Sequence, residues 1–117
     1  MTEFGGHLRA LREALLAGNA RYSLRQVAGR VGVEPAYLSK IERGEMPPPS
    51  EAMIRRLAAE LGEDADVLLA LGGKVSADLL AVIRRRPKLF AELIRALKDA
   101  PAHAVLKVVR EVREGEW

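Results

Sequence analysis

Residues 24–43 have the sequence LRQVAGRVGVEPAYLSKIER, in which two short amphipathic segments flank a glycine. Two helices that cross steeply at a short distance need a small residue at the crossing, a glycine at the turn and apolar anchors on the second helix. Ala28, Gly32, Val33, Leu38 and Ile41 meet these needs in chain order. The stretch therefore predicts two short helices that pack across a tight turn.

The ends of these two helices carry local signals. Ser23 is followed three residues later by Gln26, which is the spacing of a capping box. Gly32 is suited to the left-handed conformation that ends a helix and turns the chain. Pro35 fits the first turn of the next helix, and Glu34 before it is available to cap that helix or to favour its positive end.

Helical periodicity extends in both directions from this pair. Before it, apolar residues recur at helical spacing from Phe4. After it, a proline-rich connector at 46–49 precedes one helix that begins at Ser50 and a shorter one over 66–71. The apolar residues that we expect to face the core from the first and fourth helices are Phe4, Leu8, Leu11, Leu15, Ile54, Leu57, Ala58 and Leu61.

A glycine pair at 72–73 separates this pattern from a second one. Helices are expected from Ser76, Pro87 and Pro101, and the valine-rich end also has helical rather than strand spacing. We therefore predict an all-α fold, with a five-helix domain at residues 1–73 and a C-terminal region of about three helices at 74–117.

The composition narrows the classes of function. The 117 residues are 49% hydrophobic but only 4% aromatic, which predicts an aliphatic core. There is no cysteine, and His7 and His103 are far apart, so we expect neither a metal site nor a cofactor. The sequence has no nucleophile–base pair, phosphate loop or metal-binding helix motif, and we do not expect an enzyme.

The N-terminal stretch MTEFGGHLRALREALL has charges throughout its apolar part, unlike a signal peptide. No apolar run approaches the roughly eighteen residues that a membrane helix needs. We expect a cytoplasmic protein that makes no membrane contact.

Charge is distributed unevenly along the chain. Residues 1–44 hold seven basic and four acidic residues, and residues 74–117 hold ten basic and six acidic ones. The segment between them holds two basic and six acidic residues. Two basic regions on either side of an acidic one are compatible with a polyanionic partner.

Residues 31–62, VGVEPAYLSKIERGEMPPPSEAMIRRLAAELG, resemble the helix-turn-helix of the phage repressors and of the xenobiotic-response-element family of bacterial regulators. The resemblance covers about residues 4–72. It implies a lambda-repressor-like DNA-binding domain and double-stranded DNA as the partner. It further implies a sequence-specific transcriptional regulator, and we expect a repressor that binds a palindromic operator as a homodimer.

The same resemblance implies that residues 34–43 form the recognition helix, which lies in the major groove. Within it, lysine can donate to guanine, serine can pair with several bases, and proline or alanine can contact a thymine methyl. The tyrosine fits the edge of the core equally well. Carried over by position, the base-contacting residues are Pro35, Ala36, Tyr37, Ser39 and Lys40, and the phosphate-contacting residues are Ser23, Arg25 and Arg43.

Other positions either match a structural feature of the relatives or differ from the family pattern. Arg12 and Glu42 occupy positions where relatives have an interior ion pair. Glu34 stands where relatives commonly have a short polar capping residue, and its charge is unfavourable near phosphate. The connection before the second helix is longer than usual, so that Arg21 and Tyr22 either reach the DNA backbone or lie in solvent.

The C-terminal region carries more apolar residues than a surface appendage needs, and we expect it to form the dimer interface. The alternative is an antitoxin-like or adaptor protein whose C-terminal helices bind a second protein, such as a toxin or a regulatory peptidase, with DNA binding serving autoregulation. The basic run Arg84, Arg85, Arg86 and Lys88 is interpreted as a solvated cluster that complements a helix C-terminus, in preference to an auxiliary phosphate contact. The apolar set is Leu79, Leu80, Ile83, Leu89, Phe90, Leu93, Ile94 and Leu97.

Overall fold

The computed structural model describes residues 3–117, and within that range every regular element is helical. The predicted all-α fold, with five helices followed by three, is confirmed. None of the described helices is long and apolar enough to cross a membrane. The helices are α1 Glu3–Leu16, α2 Leu24–Val31, α3 Pro35–Glu42, α4 Glu51–Leu61, α5 Ala65–Leu71, α6 Ala77–Arg85, α7 Pro87–Leu97 and α8 Ala102–Glu114, and a 3-10 turn spans Ala20–Tyr22.

The chain forms two compact units, of which the first ends at Ser76 and the second is Ala77–Trp117. The sequence predicted this division three residues earlier, after the glycine pair at 72–73. Lys74 lies in the first unit, where its Nζ donates to the Pro49 carbonyl at 2.9 Å.

The core of the first unit is built from the apolar faces of α1 to α5. Complete burial of a leucine or isoleucine contributes about 1.5–3 kcal/mol, which offsets the marginal stability of such short helices. All eight core positions predicted for α1 and α4 are confirmed, with Leu11 and Leu15 at the edge of the core. The buried apolar residues are Phe4, Leu8, Val27, Ala28, Val31, Leu38, Ile41, Ile54, Leu57, Ala58, Leu61, Leu68 and Leu69.

The connection between α1 and α2 is ordered by side chains from both helices. Arg12 Nη1 donates to the Tyr22 carbonyl at 3.2 Å, and Arg30 Nη2 donates to the Arg21 carbonyl at 2.6 Å. Arg30 also pairs with Glu60 on α4 and lies 5.5 Å from the centre of the Tyr22 ring. These contacts hold the 3-10 turn against the domain, so Tyr22 is a packing residue rather than a free one.

The second unit consists of α6, α7 and α8, and none of these helices contains a buried residue. Each helix is amphipathic, yet its apolar face stays largely open to solvent. A unit of this size usually needs a partner, a metal or a disulfide to be stable. The large apolar side chains of this unit that are at least 41% exposed are Leu79, Val82, Leu89, Leu93, Ile94, Leu106, Val109, Val112 and Trp117.

Candidate nucleic-acid interface

The turn between α2 and α3 has the geometry that its sequence predicts. Gly32 adopts a positive φ of 82°, a conformation that side chains with a Cβ rarely take. The backbone N–H groups of Gly32 and Val33 both donate to the Ala28 carbonyl at 3.0 Å, which ends α2. Ala28 itself is fully buried, as a residue at a close helix crossing must be.

The start of α2 is fixed by Ser23. Its Oγ accepts a hydrogen bond from the Gln26 backbone N–H at 3.2 Å, which is one half of the predicted capping box. The other half is not formed, because the Ser23 backbone N–H donates to the Ala20 carbonyl at 3.2 Å instead of to the Gln26 side chain. The hydroxyl proton remains free to be donated outward, because the bond to Gln26 uses an oxygen lone pair. Arg25 is the second residue of α2, and its side chain is exposed.

α3 divides cleanly into a buried side and an open side. Leu38 and Ile41 are each 1% exposed and anchor the helix in the core. Ala36 and Lys40 are exposed and lie one turn apart, so they share one face. The predicted base-contacting residues thus all lie on α3, where Pro35, Ser39 and Tyr37 are partly exposed and Tyr37 also packs against the core.

Glu34 precedes α3 but does not cap it with its side chain. It occupies the N-cap position in an extended conformation, and no side-chain capping bond is made there. Its backbone carbonyl instead accepts from Tyr37 and Leu38, at 3.0 and 3.2 Å. The interpretation of the carboxylate as a cap is therefore wrong; side chains shorter than glutamate are the ones that cap helices well, and the exposed charge is left beside the open face of α3.

The C-terminal end of α3 carries an ion pair that the sequence analysis missed. Arg43 Nη2 lies 2.7 Å from Glu45 Oε2, and both side chains are about half exposed. The Glu45 backbone N–H donates to the Lys40 carbonyl at 2.8 Å, which folds the chain back at Gly44. An acidic residue two positions after the arginine was the available signal, but its use depends on the turn that Gly44 makes with a φ of 75°.

Arg12 and Glu42 form a buried ion pair between α1 and α3. Arg12 Nε and Nη2 donate to the two carboxylate oxygens of Glu42 at 2.7 and 2.9 Å, the paired geometry in which an arginine best holds a carboxylate. The two residues are 7% and 3% exposed. The hydrogen bond to Glu42 raises the pKa of Arg12 above its ordinary value although burial opposes that shift, so the guanidinium keeps its charge.

The first unit is similar in sequence to known helix-turn-helix proteins. Residues 3–71 match the family described as a helix-turn-helix domain, and this match covers more than half of the chain. The chain belongs to the helix-turn-helix domain family. It is 36% identical over 77 residues to an uncharacterized HTH-type transcriptional regulator, RghRB, of Bacillus subtilis strain 168. That alignment covers 66% of this chain and 52% of the relative, so the chain spans about half of the relative's length. No solved structure matches it.

In this helix-turn-helix domain, most arginines outside α3 already have acidic partners. Arg9 pairs with Glu13, and Arg30 pairs with Glu60. Arg21 and Arg25, by contrast, are exposed, and neither takes part in an ion pair within residues 3–117. The cations that remain available to an outside anion in this domain therefore include those beside Ser23.

A second polar contact ties α1 to the residues before α5. His7 Nε2 lies 2.8 Å from Glu63 Oε2, on a partly exposed part of the domain. The hydrogen bond from His7, helped by one from the Asp64 backbone, lowers the pKa of Glu63. His7 is thus a packing residue here, and nothing in its surroundings points to a role at the DNA surface.

Proposed function

We propose that this protein is a DNA-binding transcriptional regulator of the xenobiotic-response-element type, which acts by binding and not by catalysis. The observation that carries the proposal is the open side of α3, where Ala36 and Lys40 are exposed beside partly exposed Pro35 and Ser39. The opposite side is anchored by Leu38 and Ile41. A helix held in this way fits the major groove with its side chains against the base edges.

The proposed contacts divide into two kinds. Lys40 and Ser39 are placed to read bases by donating to their edges, with Pro35 and Ala36 available for a thymine methyl. The proposed phosphate contacts come from the start of α2 and the end of α3, and they fix the register of the protein on the duplex. The residues are Ser23, Arg25 and Arg43. Tyr37 contributes only the part of its ring that the core leaves open.

We further propose that the active form is a homodimer held together by the second unit. The nine large apolar side chains left open on α6, α7 and α8 or after them are more than a free surface normally carries. A second copy of the same chain would cover them and would bring two recognition helices to one duplex. Because closed dimers are two-fold symmetric, the operator is then a palindrome.

Repression is the proposed outcome of this binding. A dimer seated on its operator excludes polymerase by occupancy, and no additional contact surface is required. The proposal implies a cytoplasmic protein, since it acts where the DNA is. In an in vitro transcription assay on a template with the operator across the promoter, added protein should lower transcript yield, and a rise in yield would contradict repression.

Selection of bound duplexes from a random pool tests the central proposal. The full chain should enrich a palindrome whose half-site centres lie about one helical turn, roughly 10 base pairs, apart or a multiple of that spacing. Enrichment of a single unpaired half-site would overturn the dimer, and the absence of any enriched sequence would overturn sequence-specific binding.

Sedimentation of the purified chain distinguishes the homodimer from an antitoxin-like or adaptor protein. The open faces of the second unit favour both, since either a second copy or another protein can cover them. A concentration-dependent dimer is the expected result. A chain that stays monomeric at all concentrations while still binding DNA would favour the second candidate.

A further inference from the structure

A dense basic cluster marks the junction between α6 and α7. Arg84, Arg85, Arg86 and Lys88 lie within five consecutive residues, and all four side chains are exposed. No acidic residue occurs from position 79 to position 91. The ion pairs found within residues 3–117 all lie in the first unit, so none of them neutralises this cluster.

Stability of the helices explains only part of the cluster. Arg84 and Arg85 lie in the last turn of α6, where a cation interacts favourably with the helix dipole. Arg86 lies between the two helices: its backbone N–H donates to the Ile83 carbonyl at 3.1 Å at the end of α6, and it also occupies the N-cap position of α7. Lys88 is the second residue of α7, at the positive end of that helix, where a cation is unfavourable. The interpretation of the run as a helix C-terminal complement therefore does not account for Lys88.

We propose that this cluster binds the phosphates of double-stranded DNA outside the stretch that α3 reads. The proposal rests on DNA binding by the first unit, which brings duplex to the second unit at a high effective concentration. Exposed arginine and lysine side chains without acidic partners are the groups that proteins use for sequence-independent phosphate contacts. A second, non-specific contact of this kind raises the affinity of a small domain for DNA without changing the bases that it reads.

The cluster is separate from the apolar face of α7. Lys88 shares a shallow groove with Pro87, Ala91, Glu92 and Arg95. Leu89 and Leu93, which are 60% and 41% exposed, lie one turn apart on the other side of the helix. The groove holds two cations, Lys88 and Arg95, and one carboxylate, that of Glu92, so its net charge is positive. Phosphate binding and association with a second copy therefore use different sides of the same helix, and they can be tested independently.

The test is the salt dependence of binding to a mixed-sequence duplex of about 40 base pairs, long enough to reach beyond one operator. The logarithm of affinity falls with the logarithm of salt concentration by about 0.9 per phosphate contact. The variant R86Q/K88Q should therefore lower the magnitude of this slope by about 1.8 for each chain bound. Between about 0.05 and 0.2 M salt, the affinity advantage of the wild-type protein should shrink about tenfold for each chain bound.

A control variant with the same net charge as R86Q/K88Q distinguishes loss of this cluster from loss of charge in general. K107Q/R113Q also removes two exposed cations from the second unit, both on α8, and should leave the slope close to that of the wild type. The charge-retaining variant R86K/K88R should keep the wild-type slope. Circular dichroism should show that R86Q/K88Q keeps its helices, since the change removes cations from the positive end of α7.

Two outcomes overturn the proposal, and they differ from failure of the function proposed above. An unchanged slope for R86Q/K88Q means that the cluster serves something other than duplex, such as an acidic protein surface. An equal fall for R86Q/K88Q and K107Q/R113Q means that only the total charge matters. A wild-type chain that binds no duplex at all overturns DNA binding itself along with this contact.

Discussion

Arg43 and Glu45 form an ion pair across Gly44, with Arg43 Nη2 2.7 Å from Glu45 Oε2. The arginine proposed to hold a phosphate therefore already has an anionic partner in the free protein. Binding to DNA exchanges that carboxylate for a phosphate, and the displaced Glu45 then lies near the negatively charged backbone. Glu45 is thus expected to weaken DNA binding, at every sequence alike.

Replacement of Glu45 by glutamine should strengthen binding to specific and random duplexes by similar factors. An exposed ion pair is worth about 0.2–1 kcal/mol, so the expected gain is up to about fivefold. Fluorescence anisotropy on both duplexes measures it. Glu13→Gln is the matched control, because it breaks another exposed pair, with Arg9 on α1, and changes the net charge equally.

The gain in DNA affinity from E45Q should depend on the presence of Arg43. In a double-mutant cycle, E45Q should increase affinity less when Arg43 is already replaced by alanine. An equal gain in both backgrounds would show that Glu45 acts through general repulsion, and not through its pair with Arg43. An equal gain from E13Q would lead to the same conclusion.

Lys40→Ala and Arg43→Ala should both weaken DNA binding, but with a different dependence on the DNA sequence. Loss of Lys40, on the open side of α3, should cost about 1–3 kcal/mol at the selected operator and relax the preference at one base position. Loss of Arg43 should weaken binding to all sequences and lower the salt slope by about 1. Titration of each variant against the operator and a random duplex distinguishes them. If both variants weaken the two duplexes in the same ratio, the proposed division between base and phosphate contacts is wrong.

The Arg12–Glu42 pair should matter for folding and not for base choice. Replacement of Arg12 by methionine leaves Glu42 buried without its partner and should lower the free energy of unfolding by about 3–5 kcal/mol. The double variant R12M/E42M leaves no lone charge and should be more stable than R12M alone. Urea denaturation measures both. Arg9→Gln, which breaks an exposed pair on the same helix, should leave the midpoint nearly unchanged. A loss for R12M no larger than that for R9Q would contradict a structural role.

Local features of the sequence predicted the first unit well. Periodic spacing placed Leu8 and Leu57 in the core, and Ser23 and Gly32 marked where α2 begins and ends. These residues act within a turn or two of their own position, so their spacing alone indicates their role. The contact between Arg12 and Glu42 spans 30 residues, and only the resemblance to known regulators suggested it.

Features that depend on how distant segments meet could not be predicted in this way. Arg30 stabilises the 3-10 turn through Glu60, which is 30 residues away and carries no local signal. Glu45 pairs with Arg43 only because Gly44 turns the chain back at the end of α3. In the second unit, periodicity predicted the helices, but it does not specify which part of each apolar face a neighbouring helix covers. Leu89, which is 60% exposed, and Phe90, which is partly buried, look equally apolar in the sequence.

The open face of α7 makes the proposed dimer testable by a single substitution. Leu93 is 41% exposed and lies one turn from Leu89, so glutamate at this position costs the isolated chain little but places a charge in any apolar interface. L93E should therefore convert a dimer into a monomer in sedimentation, with unchanged circular dichroism, and should weaken operator binding while leaving the bases preferred within a half-site the same. Ala91→Glu is the control for the sedimentation measurement alone, because Ala91 lies in the charged groove with Lys88 and Arg95, where an added carboxylate also opposes the proposed phosphate contact. A dimer that survives L93E would show that α7 is not the interface, whereas dissociation by both variants would point to charge repulsion and not to loss of apolar contact.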